Sequence, residues 1–156
     1  MKWSVLLLIF LMSKTAYCQS DNADNIRLII RQPLLFAYEG FEQMLSPKTI
    51  SNAFELKLKA KNRTCNVSVT LQSTSSSDLY FLTNRLLLRP TYVSSPTLSA
   101  MSEVPLSPMS SILLSVGGST NTEHHTILYD LVMMPTAQFP SSNNIGFTIL
   151  FTMAQP

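Results

Sequence analysis

Phe54-Glu55-Leu56-Lys57-Leu58-Lys59-Ala60-Lys61 alternates without a break. Phe54, Leu56, Leu58 and Ala60 are apolar; Glu55, Lys57, Lys59 and Lys61 are charged. Successive side chains of an extended chain point to opposite faces, so period two over eight residues predicts a half-buried β-strand. Cys65-Asn66-Val67-Ser68-Val69-Thr70-Leu71-Gln72 repeats the pattern after Asn62-Arg63-Thr64. Two amphipathic strands separated by three residues predict a β-hairpin.

The same reading extends in both directions. Upstream, Ile26 to Arg31 reads as a first strand and Leu34 to Tyr38 as a second, with Pro33 between them. Proline gives no ladder hydrogen bond, which places the break at an edge or a bend. Glu39 to Ser51 reads as a connecting loop. Downstream, Ser73 to Asp78 reads as a polar loop and Leu79 to Leu82 as a short strand. Arg85 to Arg89, Ile112 to Val116, His125 to Met134 and Ile145 to Met153 read as further strands. Thr91 to Ser111 holds seven Ser, two Thr and three Pro, with Glu103 its one charge. It reads as a long surface loop with an edge strand near Leu98 to Met101, long enough to meet a partner. The sum is an all-β chain: one immunoglobulin-like antiparallel β-sandwich of about seven to nine strands over residues 26–156. Its expected core holds Phe54, Leu56, Leu58, Val67, Val69, Leu71, Ile127, Tyr129, Leu131, Phe147, Ile149 and Phe151.

Residues 1–18 have a different layout. Lys2 supplies a charge, Val5 to Met12 is an apolar run, and Ala16-Tyr17-Cys18 ends the segment. This predicts a secretory signal peptide cut between Cys18 and Gln19, followed by a polar leader over residues 19–25. The apolar run is far too short to span a bilayer core, so no membrane span is expected. Lipidation at Cys18 is the competing reading; Tyr17 before the cysteine is larger than that signal prefers. The expected location is extracytoplasmic: periplasm, cell surface or secreted. With Lys2 and Lys14 removed, nine basic residues balance nine acidic ones. A neutral chain has no electrostatic footprint for nucleic acid or an anionic membrane. Lys57, Lys59, Lys61 and Arg63 read as a solvated strand face. Cys65 is left without an internal disulfide partner, and its phase with Val67 and Val69 predicts a buried, inert thiol.

No catalytic constellation can be named, and neither enzyme activity nor a cofactor is expected. His124 and His125 are neighbours at the mouth of a strand, where adjacent side chains diverge, so they do not converge on one metal. Asp78, Glu103, Glu123 and Asp130 share no spacing that suits calcium or a glycosidase pair. Tyr80, Phe81, Tyr92 and Phe139 lie on or near loops as a candidate contact surface. Ile26, Leu28 and Ile30 alternate behind the polar leader, the pattern of a strand that one subunit lends to another.

Three stretches carry a family resemblance. Pro33-Leu34-Leu35-Phe36, the run from Thr49 to Ala60, and the run from Gln138 to Met153 resemble, in order, the opening strand, the following strand and the proline-marked ending of bacterial pilus-subunit-like secreted domains, including the spore coat U-type families. The resemblance implies an immunoglobulin-like sandwich in a surface or pilus-like structural protein. The expected function is therefore a non-enzymatic secreted or cell-surface structural or adhesion subunit. Its partners would be copies of itself or other surface subunits. The alternative is a soluble binding module that takes glycan or peptide on the 91–111 loop.

Overall fold

The computed structural model describes residues 25–59, 64–94, 98–100, 102–117, 125–140 and 144–155. The segments expected to be a signal peptide and most of a polar leader, together with His124, lie outside them. Nine strands form two antiparallel sheets among the described residues. They are β1 (Asn25–Ile30), β2 (Lys48–Lys59), β3 (Cys65–Gln72), β4 (Leu86–Val93), β5 (Leu98–Ala100), β6 (Val104–Pro105), β7 (Ser111–Val116), β8 (His125–Met133) and β9 (Thr148–Ala154). The five-stranded sheet runs β1-β2-β8-β4-β6 and the four-stranded sheet β5-β7-β3-β9. The chain is an all-β sandwich.

Alternation selects the core. Phe54, Leu56 and Leu58 of β2 and Ile127, Tyr129 and Leu131 of β8 are buried from one sheet; Val67, Val69 and Leu71 of β3 meet them from the other. Phe54 and Phe151 touch across the layers, ring centroids 5.8 Å apart, edge to face. Cys65 is buried in the same row. Tyr129 carries its hydroxyl into this core with no hydrogen-bond partner among the described residues, and burial pushes its phenol far above the ordinary value.

The predicted hairpin does not form. β2 pairs with β1 and β8, whereas β3 pairs with β7 and β9. From β2 onward every connection joins strands of different sheets. An amphipathic strand specifies which face it buries, and two such strands satisfy that demand across a sandwich as well as beside one another.

Four other segments differ from expectation. Leu79 to Leu82 is helical, within α1 (Ser76–Leu82). Ser75 is the N-cap, its Oγ accepting from the Asp78 N–H at 3.3 Å, so Ser75-Ser76-Ser77-Asp78 starts a helix and not a loop. Leu34 to Tyr38 forms no strand, although Leu34 is buried and Phe36 and Tyr38 are half-buried. Lys48, expected in a loop, begins β2. The 91–111 segment holds the expected edge strand, β5 (Leu98–Ala100), but it also crosses between the sheets. β5 joins one sheet and β6 the other, and Leu98, Val104 and Leu106 are buried.

Two irregularities have local causes. β2 slips register against β8 between Ile50 and Phe54, where Asn52 sits at φ 49°, in the left-handed region that asparagine tolerates. The Asn52 N–H donates to Asp130 Oδ1 at 2.8 Å, and Thr91 Oγ1 donates to Asn52 Oδ1 at 3.2 Å, so β8 and β4 hold the bulge in place. β4 slips against β8 between Pro90 and Tyr92, beyond the two residues that pair with β6.

Leu58 is fully buried between β1 and β8. Leu58→Ala should lower unfolding free energy by about 2–5 kcal/mol in chemical denaturation. Cys65 should react with a thiol reagent only after denaturant is added; fast labelling of the folded protein would contradict its placement.

Candidate functional site

The two long sides of the sandwich are finished differently. On one side the outermost strands are β5, three residues, and β6, two residues. Very short edges offer little backbone to another chain. On the other side the outermost strands are β1, six residues, and β9, seven residues. Among the described residues each hydrogen-bonds to one neighbouring strand only: β1 to β2, β9 to β3. β9 (Thr148-Ile149-Leu150-Phe151-Thr152-Met153-Ala154) has no charge and no proline, so it lacks the usual guards of an exposed edge.

The side chains between these edges are incompletely covered. Inward residues of β2, β3 and β8 are buried, whereas Ile26 and Leu28 of β1 and Ile149, Phe151 and Met153 of β9 are only half-buried against the core. They form an apolar seam. At its end lies a cavity of about 320 Å³. Leu34 and Phe36, following β1, line it from one side; Ile145 and Phe147, leading into β9, line it from the other, and Phe81 and Met133 contribute further wall.

Polar contacts fix the rim. Lys48 Nζ donates to the Ala37 carbonyl and to Gln43 Oε1, and lies over the Tyr38 ring at 4.2 Å from its centroid. Partial burial raises the Tyr38 phenol above its ordinary value. Arg85 stacks on Phe81 at 4.7 Å and donates to Gln138 Oε1 at 2.6 Å, tying α1 to the loop after β8. Phe41 and Phe139 stack at 4.7 Å, joining the segment after β1 to the segment before β9.

The residues singled out from sequence fall as follows. Ile26, Leu28 and Ile30 sit in β1, paired in register with Leu58, Leu56 and Phe54 of their own domain. Tyr80, Tyr92 and Phe139 are exposed at 79%, 52% and 70%, but Phe81 is buried, facing the cavity that Phe139 also lines. Tyr92 is separate, on β4 opposite Leu128 of β8. The four therefore make no single surface. His125, expected at the start of a strand, is the first residue of β8 and is buried in phase with Ile127. Among the described residues no group of three or more His, Cys, Asp or Glu converges to hold a metal. Sequence reading marked Ile149 and Phe151 as core. Their incomplete burial depends on β9 having one neighbour, which no local pattern states.

Beside the seam, Glu55 points outward from β2 yet is covered by its partners. Arg31 Nε donates to Glu55 Oε2 at 2.6 Å, and Lys57 Nζ lies 3.2 Å from Oε1. The Arg31 hydrogen bond, reinforced by Lys57, holds the carboxyl below its ordinary range. This pair tethers the chain just after β1 to β2. Neither a comparison with protein-family models nor one with curated proteins finds a match.

A depressed carboxylate stabilises the fold above its unfolded pKa of about 4.3, and that stability is lost as pH falls through the lower folded value. Wild type should exceed Glu55→Gln in denaturation midpoint at neutral pH. The gap should close as pH falls from about 6 to about 3. A constant gap across that window would show that the Arg31 contact does not favour the ionised form.

Proposed function

We propose that this protein is a non-enzymatic, extracytoplasmic structural or adhesion subunit, completed along the β1/β9 seam by an extended strand from another subunit. One observation carries the reading: an unguarded seven-residue edge beside a half-covered apolar row, on a sandwich whose opposite side ends in strands of two and three residues. An inserted strand gains backbone hydrogen bonds along β9 and sets alternate side chains over Ile149, Phe151 and Met153. The cavity at the end of the seam suits one bulky apolar side chain on that strand. Three aliphatic anchors amount to about 4–9 kcal/mol of gross apolar burial, much of it offset by ordering the donor.

The donor that the sequence offers is the segment of Ile26, Leu28 and Ile30 in a second copy. In the single chain that segment occupies the edge of its own sheet. Exchange therefore gives up the donor's own β1–β2 pairing and gains a ladder along β9 with the seam contact. The family resemblance of the runs from Thr49 to Ala60 and from Gln138 to Met153 points the same way. The glycan- or peptide-binding alternative has less to rest on, because Leu98, Val104 and Leu106 of the segment it would use are buried and β5 and β6 tie that segment into both sheets.

Size measurement of the mature protein tests the reading. Wild type should form species larger than a monomer as concentration rises, and Phe151→Lys, with a charge in the seam, should not. A synthetic peptide of residues 25–31 should bind wild type and slow its assembly, which keeps the test open if Phe151→Lys folds poorly. A wild-type protein that stays monomeric and ignores the peptide overturns the proposal.

A further inference from the structure

The charges of the strands are segregated between the two sheets. The five-stranded sheet carries Arg27, Lys48, Glu55, Lys57, Lys59, Arg89 and Asp130. The four strands of the other sheet, LSA, SILLSV, CNVSVTLQ and TILFTMA, contain none. Their register sets out the solvent face. Ser115, Asn66 and Ala154 form one row, Ile112, Ser68 and Thr152 the next, and Thr70 with Leu150 and Gln72 with Thr148 complete it. Ile112 and Leu150 are 54% and 44% exposed.

Antiparallel sheets commonly turn one face to water, and charged residues usually supply that face. Here the wetted face is built from hydroxyls, amides and three aliphatic side chains, Ile112, Leu150 and Ala154. We infer that this face is a self-association surface, taking the same face of a second copy. This rests on the subunit reading above and adds a second contact, lateral to the strand exchange.

The chemistry selects the occupant. In a two-fold contact, each group near the axis meets its own copy, so a charge would meet a like charge. This face has none. Serine and threonine hydroxyls and the amides of Asn66 and Gln72 are both donors and acceptors, so each pairs with its own kind. A charged partner would find nothing complementary. A neutral polysaccharide would find hydroxyls but no aromatic ring among the outward residues named here, and aromatic side chains are what give a binding face a large, rigid contact area.

Size sets the strength. Four strands at about 4.8 Å spacing and about six residues at 3.4 Å give a face of about 400 Å². A stable pairwise interface buries about 800 Å² per partner. A single pair is therefore weak, and the contact becomes strong where a fibre repeats it, since each added subunit raises the effective concentration of the next.

Ser68→Lys combined with Thr70→Lys charges the centre of this face from β3, an interior strand, and leaves both seam edges as they are. Sedimentation of the mature protein up to millimolar concentration, with electron microscopy of the assemblies, reads the outcome. Wild type should show side-by-side association. The double variant should keep end-to-end assembly and lose the lateral contact by about tenfold or more, because like charges then face one another. High salt should restore part of it. Phe151→Lys should do the reverse, losing end-to-end assembly while keeping a weak dimer. A double variant that sediments and bundles as wild type overturns the face inference alone; a Phe151→Lys protein that assembles as wild type overturns the seam reading alone. A wild type monomeric at millimolar concentration overturns both. Retention on cellulose that the double variant loses, without self-association, replaces the second copy by a neutral glycan.

Discussion

The two sheets share no ladder of hydrogen bonds, so the contact between their inner faces is what makes this chain one body. Because every connection after β2 changes sheet, no strand from β2 onward pairs with the strand that follows it. Each ladder joins segments distant in the chain, and none forms before the loop closures that bring them together. The layers are held instead by side chains such as Phe54 against Phe151, and by the rows of β2 and β8 over β3. Cys65 is buried, and no disulfide reinforces the layers among the described residues. Period-two alternation is therefore the constraint on which everything else rests: a one-residue slip in any of these strands would turn its apolar row to water.

That constraint explains where the core is weakest. A row of inward side chains is covered when strands flank it on both sides within its sheet and a full sheet lies opposite. Val67 and Val69 of β3 meet this condition, with β7 and β9 beside them and β2 and β8 across. Phe151 and Met153 of β9 do not, because among the described residues β9 has a neighbouring strand on one side only. The half-burial of the seam is thus a consequence of strand order and not of residue type. The Glu55–Arg31 contact and the Phe41–Phe139 stack both bind the segment that follows β1 to the rest of the domain. The edge strand is kept in place by groups lying outside the ladder itself.

The sequence revealed the elements more readily than their neighbours. Phe54 to Lys59 announced a strand because charge and hydrophobicity alternate there, and Ile127 to Met133 did so by apolar phase alone. The β2–β3 hairpin was misread because alternation carries no record of which strand lies alongside. The helix at Ser76–Leu82 was missed although its cap was visible: Ser75 three residues before Asp78 is a helix-start signal, and Leu79-Tyr80-Phe81-Leu82 is too short to show a helical period. Leu34 to Tyr38 alternates in burial without pairing, since side chains lining a cavity need only point inward. Ile26, Leu28 and Ile30 were legible as an edge strand with an apolar row. The seam itself was not, because it arises between β1 and β9, more than a hundred residues apart.

β9 belongs at once to the seam, through Ile149, Phe151 and Met153, and to the uncharged face, through Leu150 and Thr152. The two faces of one strand therefore meet different demands. Its inward side chains are large because they close a core. Its outward ones, Thr148, Leu150, Thr152 and Ala154, are all uncharged, unlike those of β2, where Lys57 and Lys59 share a strand with Leu56 and Leu58. Placing lysines on an edge is the common guard against unwanted pairing, and β2, an interior strand, carries them while β9, an edge, does not. For a domain that works alone this distribution is inverted. For one that receives a strand at β9 and packs beside its neighbours through the same sheet, charge on β9 would oppose both contacts, and charge on the far sheet would keep the assembled surface soluble.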